Sequence, residues 1–177
     1  MNNHINYNHK GFTLIETLFA ILIFSTALIS LMAIAGRGIA AASAAREQTV
    51  AHYLAQEGLE VARNMRDQNW LDQTSWDAGF ADCVENTPCK VDYQTGTTNP
   101  PRLVSCGGAC PFVQESNNAF VDSGTPSAYA RTVYVIPRDN DSLTNAPREY
   151  EVISLVAWKS KTIDRTVILQ TLLKEWQ

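Results

Sequence analysis

The chain has 177 residues, with 14 Lys and Arg against 18 Asp and Glu, so its formal net charge is −4. This length predicts one domain of ordinary size more readily than two. The acidic balance argues against a protein that works by wrapping nucleic-acid phosphate backbones, although a small basic patch is compatible with it.

The first predicted element is an apolar helix close to the N-terminus. Residues 17–36 contain no charge and are bounded by Glu16 and Arg37. At about 1.5 Å per residue the run is about 30 Å long, which is the thickness of a bilayer's hydrocarbon core. It therefore predicts a membrane span. A cleaved signal peptide ending near residues 40–43 is the alternative, but its apolar region is usually only about 7–15 residues long.

The residues just before this run, 10–16 (KGFTLIE), resemble the recognition sequence of type IV prepilins and related pseudopilins. The resemblance implies that prepilin peptidase cleaves between Gly11 and Phe12 on the cytoplasmic face and that the new N-terminal Phe12 is methylated. Residues 1–11 are then a polar leader, and residues 12–38 a transmembrane and assembly helix. Lys10 is expected to stay on the cytoplasmic side by the positive-inside tendency.

Glu16 is the candidate assembly residue. An ionised carboxylate at the entrance to a hydrocarbon-length helix is costly unless it finds a partner. Taken alone, the residue is more typical of an acid that stays in the headgroup region. The resemblance instead implies that Glu16 meets the N-terminal amine of a neighbouring pilin or pseudopilin subunit, and that an inner-membrane assembly platform is a further partner.

The predicted span has the features of a helix that packs against others. Its hydroxyl groups can return hydrogen bonds to the preceding turn or reach another helix. Many major pilins have a proline in this helix, and this chain has none. Gly36 and Gly38 are the candidates for local unwinding, because glycine lowers helix stability, and an unbroken helix is the open alternative. The hydroxyl residues are Thr17, Ser25, Thr26 and Ser30.

Residues 39–69 predict an amphipathic helix that belongs to an extracytoplasmic head, with the helical pattern ending between Asp67 and Trp70. Its apolar and small residues fall within an arc of about 140° at about 100° per residue, which predicts a face packed on a sheet. Residues 51–60 also resemble the corresponding helix of prepilin-type proteins. The predicted face consists of Val50, Ala51, Leu54, Ala55, Gly58, Val61, Ala62 and Met65.

Residues 70–177 predict the rest of the head. Up to about residue 127 the chain is rich in Asn, Asp, Gly, Thr and Pro, which predicts loops with short strands. The candidate strands are 90–93 and 102–105, with a break at 99–101 between them.

The C-terminal third predicts an antiparallel meander. Residues 130–136, 149–158 and 165–173 are rich in Val, Ile, Tyr and Trp and are separated by polar turns. The pairing of residues 156–158 with 169–173 is similar to the closing hairpin of minor pilins and minor type II secretion pseudopilins. On the middle strand, one shared face is predicted for Tyr150, Val152, Val156 and Trp158.

The four cysteines all lie in the predicted head, which is typical of a domain exported to an oxidising compartment. Two disulfides are the simplest account, and three pairings are possible. A zinc site is the alternative, although the spacing between Cys83 and Cys89 is wider than such sites usually have. The cysteines are Cys83, Cys89, Cys106 and Cys110.

Neither a cofactor nor catalysis is predicted. Residues 139–141 (DND) are similar to part of a calcium loop but lack its remaining ligand spacing and bidentate Glu, so a solvated turn and no metal site are expected. The histidines His4, His9 and His52 supply almost no material for a catalytic arrangement. We therefore expect a protein that is not an enzyme.

These observations predict an α+β pilin fold: a long N-terminal helix, membrane-spanning in its first half and amphipathic in its second, packed on a C-terminal antiparallel sheet. The predicted function is a minor structural subunit of a type IV pilus or related filament. Such a subunit is first a single-pass protein of the cytoplasmic membrane and is then extracted into the filament. The alternatives are a minor pseudopilin of a type II secretion system and a tip subunit for adhesion or DNA uptake whose head ligand is unknown.

Overall fold

The computed structural model describes residues 11–84, 87–93, 100–116, 119–121, 124–140 and 147–175. The predicted leader up to residue 10, residue 99 of the predicted break and Asp141 of the DND segment lie outside the described residues. The elements are a helix α1 (Leu14–Leu71), a 3₁₀ helix (Ala81–Cys83), and strands β1 (Cys89–Asp92), β2 (Arg102–Ser105), β3 (Phe112–Ser116), β4 (Ala119–Val121), β5 (Thr125–Asn140), β6 (Pro147–Ser160) and β7 (Ile163–Lys174).

The chain divides into two compact units, Met1–Ala44 and Ala45–Gln177. The described part of the first unit is almost entirely helical, and α1 runs without interruption through Gly36 and Gly38. Of the two alternatives for this point, the structure therefore has the unbroken helix. By length and composition the helix can cross a membrane, and none of its most apolar stretch is buried.

The second unit contains the amphipathic part of α1, and its predicted apolar face is confirmed. Ala51, Leu54, Ala55, Gly58, Val61 and Ala62 are buried, and Val50 and Met65 are partly buried. Small side chains on this face let the helix approach the sheet closely. The helix ends at Leu71, just beyond the predicted limit.

The strands form one antiparallel sheet around β5. Strand β6 pairs along one edge of β5, while β3 and β1 share the opposite edge, with Phe112 opposite Ala130 and Cys89 opposite Val133. Strand β2 coincides with its prediction and β1 begins one residue early. Strands β3 and β4 were not predicted individually because they are short and lie in a polar region.

The C-terminal meander is confirmed, and its three strands are longer than predicted. Strand β6 alternates along its length, and its buried face carries Tyr150, Val152, Val156 and Trp158, together with Ser154. The predicted register of the last hairpin is wrong: residues 156–158 pair with 165–167, not with 169–173. A two-residue turn pairs Ser160 with Ile163 and thereby fixes every later pair.

Candidate functional site

The predicted cleavage junction lies immediately before α1. The backbone N–H of Glu16 donates a hydrogen bond to Thr13 Oγ1 at 3.3 Å, and the N–H of Thr17 donates to the Thr13 carbonyl at 3.2 Å. Thr13 therefore caps the helix, and Glu16 occupies the third helical position, where a Thr-x-x-Glu capping box has its acid. The cap at Thr13 was not predicted, although the spacing of Thr13 and Glu16 indicates it.

Three of the four hydroxyl groups in the apolar segment bond within their own helix. Thr17 Oγ1 donates to the Leu14 carbonyl at 2.8 Å, and Thr26 Oγ1 donates to the Ile23 carbonyl at 2.9 Å. Ser30 Oγ likewise donates to the carbonyl of Thr26 at 2.8 Å. These bonds satisfy the hydroxyl donors without water, which is what a hydrocarbon environment requires.

The surface of this segment is almost wholly apolar and exposed. Phe12 is 76 % exposed, and the large apolar side chains that follow it are 45–79 % exposed up to Ile39. A continuous apolar surface of this kind is unfavourable in water and calls for a cover of lipid or of other helices.

A cluster of polar side chains lies in the head, around Arg131. The side chain of this arginine is 2 % exposed and donates to Glu57 Oε2 at 2.6 Å and to the Leu54 carbonyl at 3.1 Å. It also donates to the Tyr93 hydroxyl at 2.8 Å, and that hydroxyl donates to Glu57 Oε2 at 3.1 Å. This ion pair joins the helix to β5 and to the end of β1.

These surroundings change the pKa of the Tyr93 hydroxyl. Burial raises the pKa of Tyr93 to about 12, while the neighbouring Arg131 charge opposes that rise. The phenol therefore stays protonated throughout the physiological range and can donate to Glu57. The sequence analysis missed the group, but Arg131 shares its strand parity with Val133 and Val135, and an arginine on a buried face indicates a partner.

The cysteines form two disulfides between near neighbours, Cys83–Cys89 and Cys106–Cys110. Cys83 and Cys89 are fully buried in the core, and Cys89 opens β1. The second bridge closes a loop just after β2, where the N–H of Cys106 donates to the Pro88 carbonyl at 2.9 Å. Both bridges therefore lie at the same end of the β1–β2 hairpin.

The long helix and the sheet on its second half define an α+β protein of pilin-like architecture whose first helical half is apolar and unburied. Residues 6–34 match the family model for the prokaryotic N-terminal methylation motif, the hallmark of type IV prepilins and pseudopilins. The motif implies processing by prepilin peptidase and assembly with other pilin-type subunits. Neither a curated protein nor a solved structure matches the chain.

Proposed function

We propose that the protein is a minor structural subunit of a type IV pilus or a related filament. Prepilin peptidase removes residues 1–11, Phe12 becomes the methylated N-terminus, and residues 12–38 hold the chain in the cytoplasmic membrane. The amphipathic helix of residues 39–69 and the remaining head, residues 70–177, then lie outside the cytoplasm. The methylation motif over residues 6–34 supports this division.

One observation carries the proposal: Glu16 is the only charged residue between the start of α1 and Arg37, on a segment whose apolar side chains are exposed. When helices of neighbouring subunits cover that surface, the carboxylate loses water and needs a cation. Cleavage before Phe12 creates such a cation, an amine, on every subunit. A neighbour's amine can therefore neutralise Glu16 as the helices pack together.

The proposal also concerns whether the subunit is minor or major and which kind of filament it belongs to. The absence of a proline from the apolar segment favours a minor subunit, because many major pilins have one there. A minor pseudopilin of a type II secretion system, and a tip subunit for adhesion or DNA uptake, share the same anchor. Low copy number relative to another pilin, and location at filament ends, would distinguish a minor subunit from a major one.

The assembly role is tested by comparing Glu16→Ala with Glu16→Gln. Glutamine keeps the capping geometry but removes the charge. We expect both variants to be processed to methylated Phe12, as measured by mass spectrometry, and both to lose most incorporation into filaments. If Glu16→Gln were fully incorporated and Glu16→Ala were not, Glu16 would act only in capping the helix, and its charge would not be needed for assembly. A mature N-terminus other than methylated Phe12 would refute the cleavage site.

A further inference from the structure

Strand β7 is an edge of the sheet. Among the described strands it pairs with β6 alone, through an unbroken ladder from Ile163 to Lys174. Its other side therefore presents a row of backbone donors and acceptors. Another extended backbone is the partner that complements such a row.

The hairpin turn fixes which backbone groups face outward. Ser160 and Ile163 flank the two-residue turn and form a hydrogen-bonded pair. Because such pairs alternate along an antiparallel ladder, the odd-numbered residues of β7 bond to β6. The N–H and C=O groups of the even-numbered residues, 164–174, therefore point to the open edge.

The edge lacks the devices that normally prevent pairing. Residues 166–173 (TVILQTLL) contain no charge and no proline, and no bulge interrupts their ladder with β6. Natural edge strands are usually protected by such features. On the sheet face opposite the helix, Ile168 is 58 % exposed and Leu172 is 54 % exposed. The centre of the edge is therefore suited to an apolar partner strand.

We propose that this edge pairs antiparallel with β7 of a second copy of this chain, about a two-fold axis through Gln170. In this register Gln170 faces its equivalent, and Ile168 of each copy lies opposite Leu172 of the other. All facing even-numbered residues form hydrogen-bonded pairs, about ten bonds in total. The strand is thus complementary to itself in its apolar side chains.

Charge also matches in this register. Arg165 of each copy lies opposite Glu175 of the other, so the uncharged centre is flanked at both ends by opposite charges. The same register places Thr166 opposite Lys174, which brings no like charges together. A register with its axis at Ile168 would instead place the charged Asp164 opposite the exposed, apolar Leu172 of the other copy.

The two-fold axis also determines which subunits can pair through β7, given the filament function proposed above. A two-fold axis normal to the sheet reverses the direction of the helix that each head carries. Subunits within one filament are related by rotation and translation along a single axis, so their helices run in the same direction. The β7 pair therefore joins heads of two separate filaments, and the contact is one between filaments.

Cysteine crosslinking of the full-length protein in detergent tests the pairing. All four native cysteines are in disulfides, so Gln170→Cys introduces a single free thiol. Two such thiols face each other across the axis at a Cα separation of about 5.5 Å, which suits a disulfide. Thr166→Cys is the matched control, because its two copies lie about 26 Å apart in this register.

We expect Gln170→Cys to form disulfide-linked dimers about tenfold faster than Thr166→Cys, because only the former holds its thiols at a high effective concentration. Ile168→Lys, added to Gln170→Cys, should remove that advantage, whereas Ile163→Lys, outside the paired stretch, should leave it. Equal rates for the two cysteine variants, or no effect of Ile168→Lys, would overturn the proposal. The assay requires neither processing nor incorporation, so its failure is distinguishable from failure of the assembly role.

Discussion

Gly58 of α1 and Ser154 of β6 are in contact: a Cβ added to Gly58 would lie 2.5 Å from Ser154 Oγ. Both residues are buried, and Ser154 Oγ has no hydrogen-bond partner among the described residues. Cβ atoms essentially never approach another heavy atom so closely. The separation of helix and sheet is therefore set here by the missing side chain of Gly58 and the small one of Ser154.

Replacing Gly58 by Ala should destabilise the head. Alanine gains about 1 kcal/mol of helix propensity, but forcing a methyl group into a packed contact costs about 1–3 kcal/mol. We expect a net loss of about 1 kcal/mol in the free energy of unfolding. Urea unfolding of the full-length protein in detergent, followed by the fluorescence of the buried Trp76 and Trp158, measures it.

A double-mutant cycle with Ser154→Ala identifies the cause. Because the Ser154 hydroxyl is already unpaired, its removal alone should change stability little. In the Gly58→Ala background the same change removes the 2.5 Å contact and leaves the nearest atoms at 3.2–3.3 Å. It should recover about 0.5 kcal/mol or more. Purely additive effects would show that the close approach is not responsible.

The ion pair of Glu57 and Arg131 predicts unequal losses when each partner is removed. Arg131 is 2 % exposed at its side chain and Glu57 is 37 % exposed. Glu57→Gln leaves a buried cation without its counter-charge, which should cost about 3 kcal/mol. Arg131→Met leaves a carboxylate that water still reaches, so the loss should be smaller.

Urea unfolding of both single variants and of the Glu57→Gln/Arg131→Met double variant measures this difference. The double variant should be more stable than Glu57→Gln alone, since it removes the unpaired charge. If Arg131→Met were the more damaging change, packing of the arginine stem rather than its charge would dominate.

The sequence was sufficient for the features that depend on periodicity. Burial of Leu54 and Ala55 on the helix and of Val152 and Val156 on β6 follows from the 3.6-residue and two-residue periods. The membrane-length run after Glu16 needs only length and composition. The hairpin register was predicted wrongly because alternation specifies a face, while the turn at Lys161 decides which residues are opposite each other.

The sequence could not predict the long-range polar contacts, for a different reason. The residues joined by these hydrogen bonds are 36–77 positions apart along the chain, and only the folded sheet brings them together. The bonds are Tyr93 to Glu57, Arg131 to Tyr93 and Arg131 to the Leu54 carbonyl. The pairing of Cys83 with Cys89 depends likewise on the 3₁₀ helix that precedes β1. Spacing alone left three pairings open.

The two disulfides should differ in their importance for stability. By loop-closure entropy alone they are nearly equal, at about 2 kcal/mol each. Cys83 and Cys89 are fully buried among core residues, whereas Cys106 and Cys110 are only partly buried beside an exposed glycine loop. We expect Cys83→Ala/Cys89→Ala to lower the unfolding midpoint clearly more than Cys106→Ala/Cys110→Ala, because it also leaves a cavity in the core. Equal losses would mean that the entropic contribution dominates both.

Head stability should fall as pH rises from about 10 to about 12. Burial, together with the neighbouring Asp77 carboxylate, raises the pKa of Tyr150 to about 12, and burial raises the pKa of Tyr93 to about 12. Unfolded tyrosine ionises near 10. Since the folded pKa values are higher, the folded state favours the protonated phenols, and this stabilisation is complete below pH 10 and lost as pH passes through the folded pKa. Urea midpoints between pH 9 and pH 12, compared with Tyr150→Phe and Tyr93→Phe, measure it: each phenylalanine should flatten the decline, and an unchanged slope in both would contradict the assignment.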